Sequence, residues 1–130
     1  MQPDPPDLLL CCAIVQQAPE AIIFADPGGV IRVWNQGAET MFGHVAAEAI
    51  GLNLDLIIPE HLRAAHWEAF HRAIAAGRTR GEGRVATTRS MHKDGSRLYV
   101  DLSFTVLIDE AGAAIGALAI GRPAGGTRSR

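Results

Sequence analysis

Several things are scarce in this 130-residue chain, and each absence narrows its class. Long apolar runs are missing. The longest, residues 8–15, falls well short of the ~20 residues that span a bilayer, and it follows prolines and acids rather than a basic segment. Neither a membrane span nor a secretory leader is therefore expected. Cysteine is limited to Cys11 and Cys12, which are adjacent. Neighbours on a helix diverge by about 100°, so they make a poor intrachain disulfide, and without a CxxC pair a cysteine zinc site is excluded. A reducing cytoplasm is the expected compartment. Charge of one sign is missing too: the formal net charge is -2, which argues against a nucleic-acid surface. No phosphate-cradling glycine motif is present, and no nucleophile stands beside a base, so an enzyme is not expected.

What is present suits one domain with one core: 48% hydrophobic and 20% charged residues. The proline-rich start gives way at Asp7, a helix-capping residue, to a segment over 8–17 that is apolar nearly all round. Such a helix needs a cover. Two covers stand open, a second copy of the chain or the chain's own sheet. Two short β-rich runs then flank Pro27-Gly28-Gly29, the pattern of a hairpin. Residues 36–57 are short, alanine-rich and punctuated by glycine, which predicts three short helical segments.

The stretch 58–77 reads as one long helix, with Pro59 in its first turn and Gly77 at its end. At about 100° per residue, Leu62, His66, Ala69, Phe70 and Ala73 share one stripe, and His66 is its only polar member. His61 and His71 each lie five residues from it, so the three cannot converge on one metal. Two readings of His66 follow, a core histidine or a ligand offered to a cofactor in that core. Strands return over 80–91, 96–108 and 115–120. The middle one alternates, with Leu98, Val100, Leu102, Phe104, Val106 and Ile108 on one face. The expected fold class is α+β: a five-stranded antiparallel sheet, short helices and one long helix packed on one face, and an amino-terminal helix. The expected divisions are an extension and flanking helix over 1–17, a central domain over 18–123 and a flexible tail over 124–130.

Local sequences in this order resemble the PAS domain, a sensor and interaction module, over nearly the whole chain. They are Pro19-Glu20-Ala21-Ile22, the run Asn35-x-Gly37-Ala38-Glu39-x-x-Phe42-Gly43, Ile50-Gly51, Ile57-Ile58-Pro59, and Lys93-Asp94-Gly95 before the long strand. The segment Pro59-x-x-Leu62-Arg63-x-x-His66 is similar to the haem-binding PAS domains of bacterial oxygen sensors. The resemblance implies haem b held by His66 as axial iron ligand, with oxygen, carbon monoxide, nitric oxide or a redox change as the signal. It also implies a homodimer through the amino-terminal helix and a downstream signalling domain or protein as output partner.

Other roles in those sensors fall on this chain by gapless correspondence. Arg72 and Arg80 match positions that contact haem propionates, and two solvated arginines are the plain alternative. The distal arginine of the oxygen sensors falls on Ala86, which has no donor. Arg84, two residues earlier on the same strand face, either replaces it or leaves the pocket without one. Leu102 and Phe104 would line the distal side, with Leu62 and Phe70 beside His66. A PAS module that binds another small ligand or none, relaying a signal through a dimer, remains the second reading. Light-driven flavin chemistry is not expected, because both cysteines lie in the amino-terminal helix; a non-covalent flavin stays open.

Overall fold

The computed structural model describes residues 7–78 and 84–125. Helix α1 (Leu8–Gln17) leads into strands β1 (Ala21–Ala25) and β2 (Ile31–Trp34). Two short helices, α2 (Gln36–Phe42) and α3 (Ala46–Ala49), and two 3₁₀ turns (Leu54–Leu56 and Glu60–Leu62) carry the chain to helix α4 (Arg63–Ala76). Strands β3 (Val85–Met91), β4 (Arg97–Ile108) and β5 (Ala114–Pro123) complete an antiparallel sheet of order β2-β1-β5-β4-β3.

Local chemistry explains the boundaries. The Asp7 carboxylate accepts the Leu9 amide at 2.9 Å, capping α1 where the sequence placed it. Asn35 caps α2, and α2 ends at Gly43, whose φ of 85° is the left-handed conformation that favours glycine. The helical insertion is stitched to the far hairpin by two backbone bonds, Met91 to Ile57 and Lys93 to Phe42, each 2.9 Å.

One sheet face carries the core. Ala21, Ile23, Trp34, Val100 and Leu102 pack there against Ala38, Met41, Phe42 and Ile57. The opposite face is apolar as well, with Ile22, Phe24, Val33, Leu107, Leu118 and Ile120 lining a shallow groove that α1 borders through Val15. Most of α1 projects away from it, with Leu8, Leu9, Leu10 and Ile14 all exposed.

Three expectations are corrected. The stretch 58–77 is a 3₁₀ turn followed by a helix, because Pro59 stands outside the first turn with extended backbone. The buried stripe of α4 is also turned: Ala69 is exposed, while Trp67 and Ile74 join His66, Phe70 and Ala73. On β4 the alternation holds for Val100, Leu102 and Val106, but Phe104 is 37% and Ile108 54% exposed. Ile108 lies at the end of the strand, where the pairing with β5 shifts register, and Phe104 is partly exposed between the buried Leu102 and Val106. The start of the strand expected over 80–91 and the end of the tail expected over 124–130 fall outside the described residues.

Candidate functional site

The site is built on α4. Asp55, in the first 3₁₀ turn, accepts the Trp67 indole N–H at 2.8 Å, and Arg63 reaches its backbone carbonyl at 3.3 Å. Arg63 also donates to the Ile58 carbonyl at 2.9 Å. Trp67 then lies against Gly29 in the β1–β2 turn, where a Cβ would meet its ring at 2.3 Å. These contacts fix how α4 is rotated about its axis.

That rotation sets His66. Its ring packs edge-on to Trp67 with centroids 4.8 Å apart and lies 6.1 Å from the buried Phe70. Its Nδ1 is buried without a hydrogen-bond partner. Burial holds its pKa below the ordinary histidine value; the Asp55 charge opposes that shift and His71 adds to it. The imidazole is therefore neutral at physiological pH, the form that ligates metals.

Strands β3 and β4 form one edge of the sheet. Thr88 pairs with Val100, and Ala86 with Leu102, so these four side chains share the inner face of the sheet. Leu102 is buried and Ala86 is exposed. Arg84 is exposed just before β3. Leu62 is half-buried in the second 3₁₀ turn, one residue before α4 begins. Arg72 is exposed on the solvent side of α4, 3.8 Å from Glu68. Arg80 lies outside the described residues.

The remaining histidines make other contacts. His71 stacks on Trp67, His61 lies 3.5 Å from Arg89, His44 pairs with Glu48, and His92 accepts the Asp94 amide. No group of three or more His, Cys, Asp or Glu able to hold a metal occurs among the described residues. Two contributors escaped the sequence reading. Asp55 carries no local signal, and Thr88 becomes visible only once the register places its hydroxyl on the apolar face.

A five-stranded antiparallel sheet with a helical insertion folded over one face defines an α+β domain. The PAS fold family model matches residues 12–124, and the chain belongs to that family. The chain is 31% identical over 93 residues to the sensor protein FixL of Bradyrhizobium diazoefficiens, covering 70% of this chain and 18% of that protein. It is 35% identical over 69 residues to the oxygen sensor protein DosP of Escherichia coli, covering 53% of this chain and 9% of that protein. The chain thus spans under a fifth of either relative. Among solved structures, the PAS domain of a Colwellia psychrerythraea protein superposes with a TM-score of 0.76 at 25% identity, covering 91% of this chain and 98% of that one. No helix of the described residues is long and apolar enough to cross a membrane.

Proposed function

We propose that this chain is a haem-binding PAS sensor domain, with His66 as the axial ligand of haem b and oxygen, carbon monoxide, nitric oxide or a redox change as its signal. The observation that carries the reading is the His66 imidazole, held neutral by burial with Nδ1 unpartnered. A buried polar atom without a partner is costly, and a bound group relieves that cost. The residues that would meet haem are the His66 imidazole, Phe70 6.1 Å from it and, on the resemblance, Leu62, Leu102 and Phe104.

Haem supplies an iron centre whose ligation or redox state changes with the signal. The chain's residues do the rest. His66 would hold the iron, the apolar residues about it would exclude water, and Arg72 and Arg80 are the candidates for the propionates, where an arginine fork suits a carboxylate. Ala86 has no donor to offer a bound gas, and Arg84, just before β3, would be the candidate replacement. A change at β3 and β4 has a hydrogen-bonded path through β5 to β1, and from β1 through Asn35 to α1. That path shifts the population of two arrangements of a homodimer formed through α1, provided the arrangements bind the signal with different affinity. The domain acts by binding rather than catalysis, in the cytoplasm, on a downstream signalling domain or protein.

The test is an absorption spectrum. Protein purified after expression with ample haem is expected to show a Soret band that His66→Ala loses. A colourless wild-type protein sinks the reading. It would favour the second one, a PAS module holding another small molecule or none, in which the packing of Trp67 and Phe70 about His66 is ordinary core.

A further inference from the structure

The two edges of the sheet are treated differently. The β2 edge is closed by the chain itself: Ile31 donates to the Leu52 carbonyl at 2.8 Å, Gly51 donates to the Ile31 carbonyl at 2.9 Å, and Val30 bridges Asn53. The β3 edge is closed at one end, where Met91 donates to the Ile57 carbonyl at 2.9 Å. That bond fixes the pattern along the strand. In an antiparallel pair, successive residues turn their backbone groups alternately toward the partner and away from it. His92 donates to Ser96 across the hairpin at 2.9 Å, whereas Met91 points outward. Arg89, Thr87 and Val85 follow Met91 in turning N–H and C=O away from β4. Among the described residues, no other segment bonds to these three outward backbones.

Proline, lysine and bulges commonly keep an open edge from pairing. The strand Val85–Met91 has none of them, and Val85 is 67% exposed. The cations along this edge are arginines. Arg84 is exposed just before the strand. Arg89 stands where the closed end begins: its guanidinium lies 3.5 Å from the His61 ring, and its Nε is buried without a partner. The carboxylate one strand inward, Asp101, is engaged by the Thr87 hydroxyl at 2.5 Å.

We propose that residues 85–89 take an added β-strand, an extended acidic segment of a partner protein. Its backbone pairs with Val85, Thr87 and Arg89, and one of its carboxylates meets the Arg89 guanidinium. The backbone groups supply affinity with little regard to sequence, and the arginine supplies the choice of charge. A second copy of this chain fits less well, because it would bring its own Arg84 and Arg89 to the same edge, like charge beside like. This surface requires no haem.

The test titrates the full chain with a synthetic peptide of alternating valine and glutamate and follows amide hydrogen exchange. In the free protein the Ala86 and Thr88 amides, turned to β4, are expected to exchange slowly, and those of Val85, Thr87 and Arg89 fast. With the peptide at about ten times its Kd, the second set should slow by about tenfold. The fully N-methylated peptide, which has no N–H to donate, should not bind. Arg89→Glu should weaken the acidic peptide by about tenfold, the weight of one charge-assisted hydrogen bond, and should improve binding of a valine–lysine peptide. Arg89→Gln gives the same weakening if the glutamate variant does not fold. Unchanged exchange at Val85, Thr87 and Arg89 under excess peptide overturns the assignment. So does equal binding of the valine–lysine or the N-methylated peptide by the wild type. Slowing of the same three amides with rising protein concentration and no peptide makes a second copy the occupant, and overturns the acidic partner.

Discussion

The side-chain amide of Asn35 donates to the backbone carbonyl of Val15 across 2.8 Å, which ties the last turn of α1 to the start of α2. The same side chain donates to Glu20 at 3.0 Å and Ala18 at 3.3 Å, and it accepts the Ile22 and Ala38 amides at 2.8 and 2.9 Å. Asn35 is fully buried, so one amide holds together α1, β1 and α2.

Asn35→Ala strands those backbone groups. A net loss of about 2–4 kcal/mol is expected, from several lost bonds and the desolvated groups left behind. Chemical denaturation measures the loss. Hydrogen exchange should show α1 amides losing protection first, because the tether at its carboxyl-terminal end is gone. Uniform loss across the sheet would mean that Asn35 is only a helix cap.

The depressed pKa of His66 gives the haem-free protein a defined pH response. The unfolded chain binds a proton near 6.5 and the folded one only at lower pH. Stability from this group is therefore complete above 6.5 and lost as pH falls from there toward the folded value. The carboxylates held below their usual values, Asp26, Glu48 and Asp94, act at lower pH, since their references are 3.8, 4.5 and 3.8. Between about pH 7.5 and 5.5 the wild type should lose more Tm than His66→Leu does. Equal slopes in the two proteins would refute the linkage.

Gly29→Ala strikes the support of α4 from the other side. Gly29 has a φ of 87°, and an added Cβ would meet the Trp67 ring at 2.3 Å. Left-handed strain and overpacking together should cost about 2–4 kcal/mol. A red shift of tryptophan emission should accompany the loss as the Trp67 ring is pushed toward water. Unchanged emission would place the strain in the turn alone.

Features carried by adjacent residues were legible in the sequence. The Asp7 cap, the hairpin at Pro27-Gly28-Gly29 and the turn at Lys93-Asp94-Gly95 each fall where expected, because a few neighbouring residues decide them. The orientation of α4 was not, since its buried stripe is turned by roughly 50° from the one that apolar spacing gives. The Trp67 indole bond to Asp55, twelve positions earlier, decides it. Tryptophan fitted no apolar stripe on spacing alone. His66 lies near the middle of the expected stripe and stays inside after the rotation, whereas Ala69 at its edge does not. Thr88 stayed hidden because which face of β3 turns inward depends on its pairing with β4.

The central place of β5 has a consequence for how the chain folds. It separates β1 from β4, so the β1–β2 and β3–β4 hairpins have no edge in common until it arrives. Its pairing of Ala21 with Gly121 closes a loop of about 100 residues, a contact of high order. Each hairpin can zip early, but the sheet completes in one late step that joins the two ends of the domain. Before that step both hairpins expose a strand edge that another chain could occupy. Loss of the 114–123 segment would therefore leave two separate hairpins, with aggregation as the expected fate.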